Sequence, residues 1–152
     1  MKRAAIIILM ILCMVAGACA EERECYIICQ PTGLVNAHSS PKLKAPEVGW
    51  LILGKKLVTD GRMKNGFVYV TGICGESEDG WVSAKYVTYE EPLSIDVQAT
   101  VKSKGRVAAR RGINGKRIAW LKPGSEVTLL VWTEDWCVTD RGFVMTKYLE
   151  ID

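Results

Sequence analysis

The chain has one histidine, His38, and it stands beside two hydroxyls, Ser39 and Ser40. Such a trio invites reading as a base with a nucleophile. Sequence neighbours cannot by themselves form that relay, because nucleophile, base and orienting group must converge from separate elements. The surrounding AHSSP reads as a turn, which makes His38 an ordinary exposed loop residue. Beyond the first twenty residues there are four cysteines, Cys25, Cys29, Cys74 and Cys137. No CxxC pair occurs and His38 is not spaced with any cysteine pair, so a zinc site is not expected. Cys137 alternates with strand residues in WCVT and reads as a buried thiol rather than a nucleophile. Glu76, Glu78 and Asp79 cluster in a turn but lack the ordered oxygen ligands of a calcium loop. No glycine loop suited to phosphates is present. The expectation is a protein that is not an enzyme and uses no cofactor and no metal.

Binding residues are easier to find. Trp50 and Trp120 each sit one residue before a leucine, in VGWL and IAWL. Val48 and Leu51 differ in parity, as do Ile118 and Leu121, so placing both members of a pair in a core requires a bulge near Gly49 and Ala119. The two tryptophans then turn either to solvent, as contacts for sugar or peptide, or toward the other half of the chain as a seam. A second candidate is charge. From Lys102 to Lys122 there are eight basic residues and no acidic one. Arg110, Arg111, Lys116 and Arg117 fall in what reads as a long loop, either a solvated surface or a seat for anionic wall polymers or phosphates.

Elsewhere charge is uninformative. Setting aside Lys2 and Arg3, the 20 Lys and Arg become 18, against 17 Asp and Glu. The opening MKRAAIIILMILCMVAGACA has a basic start, an apolar run and small residues, the layout of a secretory signal over residues 1–20. The apolar run is shorter than the roughly 20 residues of a membrane-spanning helix. Cleavage after Ala20 is one reading. Lipidation at Cys19 within AGAC is a second, with a membrane as partner in that case, and an uncleaved anchor is a third. In each case the protein is expected outside the cytoplasm, secreted or envelope-associated, which disfavours nucleic acid. An oxidising compartment permits disulfides. Cys25 and Cys29, four apart in an extended strand, would lie about 13 Å apart, too far to bond each other. A bridge from one of them to Cys74 is expected, with four reduced thiols as the alternative.

The elements that would carry these residues are strands. CYIIC (25–29), VGWLI (48–52), KLVTD (56–60), FVYVTGI (67–73) and GWVS (80–83) are short, rich in β-branched and aromatic residues, and separated by turn signals. The order repeats as IDVQATV (95–101), RVAA (106–109), RIAWL (117–121), EVTLLVW (126–132), WCVT (136–139) and GFVM (142–145). GWVSAKYV (80–87) returns as GFVMTKYL (142–149), an offset of 142 − 80 = 62 residues. Likewise VNAHSSP meets VAARRGI, VGWLILG meets IAWLKPG, and NGFVYV meets EDWCVT. This implies two copies of one small β domain, over 21–90 and 96–152, with 91–95 as linker.

Each copy resembles a bacterial SH3-like domain. The resemblance rests on the ordered set VNAHSSP, VGWLILG, NGFVYV and GWVSAKYV, and its second appearance as VAARRGI, IAWLKPG, EDWCVT and GFVMTKYL. Copy one departs in carrying His38 where the family often has Arg and in a longer ICGESEDG turn; copy two has Arg110 there but lacks the turn proline. The resemblance implies an all-β fold of two tandem small barrels. Trp81 and Phe143 are expected to fill the centre of each closing strand, and Val82 and Val144 to face the other sheet edge. Tyr86 and Tyr148 are expected to follow one helical turn and seal the barrel end. Loss of one such aromatic would cost about 3–5 kcal/mol. It also implies recognition of cell-wall peptidoglycan or its peptide bridges. A protein–protein adaptor of an envelope complex is the alternative, and a ligand-sensing or inhibitor protein a weaker third.

Overall fold

The structure, a computed structural model, describes residues 21–152. The signal segment and Cys19 lie outside the described residues. No helix among the described residues is long and apolar enough to cross a membrane.

The described chain is all-β, with two single 3-10 turns, Ala84–Tyr86 and Thr146–Tyr148. The first half contributes β1 (Arg23–Ile27), β2 (Val35–His38), β3 (Glu47–Leu51), β4 (Lys56–Thr59), β5 (Met63–Lys64), β6 (Phe67–Thr71), β7 (Cys74–Gly75), β8 (Asp79–Ser83) and β9 (Val87–Thr88). The second contributes β10 (Leu93–Val101), β11 (Val107–Arg110), β12 (Arg117–Leu121), β13 (Glu126–Trp132), β14 (Trp136–Thr139), β15 (Gly142–Met145) and β16 (Leu149–Ile151). They form two sheets and no strand passes between them. The first runs β7-β3-β2-β8-β6-β4-β1-β9 with β5 on β6, the second β12-β11-β15-β14-β13-β10-β16. Strand β10 begins inside the stretch read as linker, because Leu93 and Ser94 already pair with Trp132 and Val131.

The repeat is visible in the ladders. In the first sheet Val35, Asn36 and Ala37 face Leu51, Trp50 and Gly49. In the second Val107, Ala108 and Ala109 face Leu121, Trp120 and Ala119. Both ladders then slip by one residue, so that His38 meets Glu47 and Arg110 meets Arg117. The extra residues are Val48 and Ile118, so each copy bulges beside the position expected from parity. The bulge returns Val48 to the first core, while Ile118 stays about half exposed.

Each sheet has its own apolar cluster. Cys25, Ile27, Val35, Leu51, Leu57, Val68, Val70 and Val82 lie in the first, and Val101, Val107, Val127, Leu129, Cys137 and Val144 in the second. A third cluster joins the halves: Ile28 and the flanking Leu53 and Tyr86 meet Val131, Trp136, Val138 and Phe143. Polar links reinforce it. The Gln30 side-chain amide donates to the Thr139 carbonyl at 3.1 Å. The Ile113 amide donates to the Lys85 carbonyl at 2.8 Å.

These clusters correct the expectation for the closing strands. Period-2 alternation puts neighbours on opposite faces, and it is Val82 and Val144, both fully buried, that enter the cores. Trp81 lies on the outer face, half-buried, edge-on to Tyr69 at 5.3 Å between ring centroids. Phe143 also faces outward but is buried, because the first half covers it. Neither plugs the interior of its own half. Tyr86 and Tyr148 are the last residues of their 3-10 turns rather than following them. Lys85 and Lys147 each stand 5.0 Å over the tyrosine that follows.

The cysteine expectation is corrected too. All four are free thiols. Cys25 lies on β1 and Cys74 on β7, near opposite ends of the strand order. Cys25, Cys29 and Cys137 are buried and Cys74 is exposed. Burial pushes the Cys25 thiol up to about 11 and raises those of Cys29 and Cys137. At pH 8 an alkylating reagent is therefore expected to modify Cys74 alone among these four in the folded protein, and the other three only after denaturant. Mass spectrometry of the labelled chain checks this; rapid modification of Cys25 would contradict its placement.

Candidate binding site

His38 is not in a loop. It is the last residue of β2, only 6% exposed, with Nδ1 donating to the Ala45 carbonyl at 3.1 Å and the ring edge-on to Phe67. Its partners are a backbone carbonyl and an aromatic face, and neither Ser39 nor Ser40 is one of them. Among the described residues no group of His, Cys, Asp and Glu is placed to hold a metal ion.

Trp50 and Trp120 are 53% and 49% exposed. They stand at matching ladder positions two residues past their bulges, with Leu51 and Leu121 turned into the cores. They take no part in the seam. Beside each lies a groove. The Trp50 groove, about 460 Å³, is lined by Leu34, Asn36, Glu47, Val48 and Glu76 as well as the indole. The Trp120 groove, about 380 Å³, is lined by Arg106, Ala108, Arg110, Met145 and Tyr148 as well as its indole.

The grooves share geometry and differ in charge. Glu47 and Arg117 occupy equivalent ladder positions. Glu47 accepts a 2.6 Å hydrogen bond from the Asn36 amide. The Arg117 guanidinium lies 4.5 Å from the Trp120 ring centroid, a cation–π contact that leaves its charge on the surface. Arg110 donates from Nη1 to the Gly115 carbonyl at 2.9 Å, holding the β11–β12 hairpin closed while its side chain borders the groove.

The basic run thus divides. Arg110 and Arg117 end facing strands rather than lying in a long loop, and Trp120 joins them. Arg111 turns toward the seam with Tyr86 and Phe143, around a smaller cavity of about 270 Å³. Burial raises the Tyr86 phenol, and Arg111 opposes that by favouring the phenolate. Lys116 is exposed, and its carbonyl accepts the Arg111 amide at 3.0 Å. Sequence reasoning missed Asn36, Glu47 and Glu76 beside Trp50, and Arg106 and Tyr148 beside Trp120. The ladder could have found Asn36 and Glu47, which lie opposite Trp50 and one bulge away from it, whereas Glu76, Arg106 and Tyr148 come from segments outside those ladders.

No family model matches the chain, and no curated protein does. Among solved structures, two proteins of Trichomonas vaginalis are similar. NlpC1 shows 18% identity and a TM-score of 0.38 over 87% of this chain and 46% of its own. NlpC2 shows 18% identity and a TM-score of 0.38 over 88% of this chain and 49% of its own. The chain therefore spans about half the length of these two proteins, and at that score the likeness assigns neither fold nor activity.

Proposed function

We propose that this is a non-catalytic extracytoplasmic binding protein of two tandem SH3-like units, recognising cell-wall peptidoglycan or its peptide bridges. The observation that carries the reading is the pair of half-exposed indoles, Trp50 and Trp120, at equivalent ladder positions, each beside a groove several residues long. An indole offers a flat apolar face to a sugar ring or an extended peptide and keeps one N–H donor for a polar partner. Two such faces on one chain suit a polymer, since engaging the second site becomes intramolecular once the first is filled.

Sedimentation with purified sacculi tests the reading. The protein is expected to pellet, Trp50→Ala and Trp120→Ala each to weaken pelleting about tenfold, and the double variant to stay in solution. No soluble wall fragments are expected. Fragment release would make the protein a hydrolase. Failure to pellet, together with specific capture of an envelope protein, would favour an adaptor instead.

A further inference from the structure

The two sheets are copies that end differently, and the difference lies at one strand edge. In the first half the outer edge of β3 is covered by β7: Gly49 and Trp50 pair with Gly75 and Cys74. Past that pairing the Glu76 amide donates to the Val48 carbonyl at 2.9 Å. The covering segment is the ICGESEDG turn, which the second half does not have. There β12, the equivalent of β3, is the last strand of its sheet, and no strand of the described residues lies on its outer side.

We propose that the β12 edge receives an extended acidic peptide segment of a partner protein, added as an antiparallel strand where β7 sits in the first half. An uncovered edge is a row of backbone donors and acceptors that pairs with whatever strand its surroundings admit. The surroundings here are cationic. Arg106, Arg110, Lys116, Arg117 and Lys122 flank β12, and none forms an ion pair among the described residues. The strands that end the two sheet orders elsewhere have acids within or just after them: Glu76 and Glu78 after β7, Glu90 and Glu91 after β9, Glu150 and Asp152 at β16; only the two-residue β5, off that order on β6, carries a base, Lys64. Like charge keeps two β12 edges apart, while an acidic strand gains both ladder bonds and charge complementarity. The first half shows the ladder part of this pairing within one chain, where Glu76 shares the Trp50 groove with Glu47 and has no cationic partner among the described residues; in the second half that acid would meet Arg117.

One residue sets the fit. The β7 segment approaches so closely that a Cβ on Gly49 would lie 2.6 Å from the Cys74 carbonyl oxygen. Ala119 holds the corresponding place. Its methyl moves an added strand outward, so removing it improves the match.

The test uses the whole protein and a synthetic peptide of residues 72–79, GICGESED with C74S, titrated at low salt. Binding is followed by Trp fluorescence and by backbone NMR shifts. Shifts centred on residues 117–121 are expected, with affinity falling at least tenfold for the protein variant R106E/R117E. Affinity should also fall steeply with salt, as it does for exposed charges, and rise severalfold for A119G. Arg62→Glu, remote from β12, should change nothing. A peptide with Lys at its three acidic positions should not bind. Absence of binding at millimolar peptide overturns the proposal, as do shifts centred away from β12, indifference to R106E/R117E, or weaker binding by A119G. Self-association that masks β12, seen by ultracentrifugation, would make a second copy the occupant and overturn it equally. The inference does not rest on wall recognition: pelleting with sacculi can succeed or fail independently of this titration.

Discussion

Phe143→Ala is expected to lower the unfolding free energy by about 3–5 kcal/mol, the usual cost of emptying a buried aromatic site. The same substitution at its repeat partner, Trp81→Ala, is expected to cost only about 1–2 kcal/mol, from partial burial and one aromatic pair. The asymmetry follows from the seam. Phe143 is 2% exposed among Ile28, Val131, Trp136 and Val138, and tilts against Tyr86 at 6.3 Å between ring centroids. Trp81 lies on an outer face beside Tyr69 and is only half-buried. Urea titration of both variants checks the difference, and hydrogen exchange locates it. Phe143→Ala should speed exchange in β14 and β15 and spare β6 and β8, which the first core holds independently. Equal losses at the two positions would mean that the halves do not share an interface.

The second large effect is expected at Gly142. Its φ is +119°, a region in which an L side chain is strained by about 1–3 kcal/mol. A Cβ there would also sit 2.7 Å from the Arg110 carbonyl oxygen and 2.9 Å from Ile118 Cδ1. Relieving that overlap separates β11 from β15, which pair through Arg110 and Phe143. Strain and overpacking together put Gly142→Ala at about 2–5 kcal/mol. Gly105→Ala is the control, since nothing lies within 4 Å of its added Cβ; it is expected to stay within about 0.5 kcal/mol of the parent. Comparable midpoints for the two variants in thermal or urea melts would contradict this account.

Much of this architecture could be read from the residues. The second-half strands RIAWL, EVTLLVW, WCVT and GFVM match β12 to β15 residue for residue, because β-branched and aromatic runs between turn signals carry a strong local signal. Parity alone anticipated the bulge beside Gly49 and Ala119. What parity does not specify is which of its two faces turns inward. Trp81 and Phe143 are the bulkiest residues of their strands, yet the smaller valines beside them fill the cores. WCVT gave no face at all: every residue of β14 is buried, one side against its own sheet's core and the other against the first half. His38 was misplaced because AHSSP looks like a turn, whereas β2 extends through the histidine before turning. Of the candidate site, the tryptophans were legible as a repeated word and Arg110 as a member of the basic run. The grooves were not, since they combine residues from facing strands and from a turn that only one copy has.

The shared face also sets an order on how this protein can be made. As the chain emerges amino end first, residues 23–88 can close their own core before the second sheet is complete, leaving Ile28 and Tyr86 uncovered for a time. The second sheet matures against a partner already in place, and β14 with β15 gains its outer lining only from that partner. A truncated second half lacking residues 21–88 would present Val131, Trp136, Val138 and Phe143 to water as one sticky patch, whereas a lone first half would bare mainly Ile28, Leu53 and Tyr86.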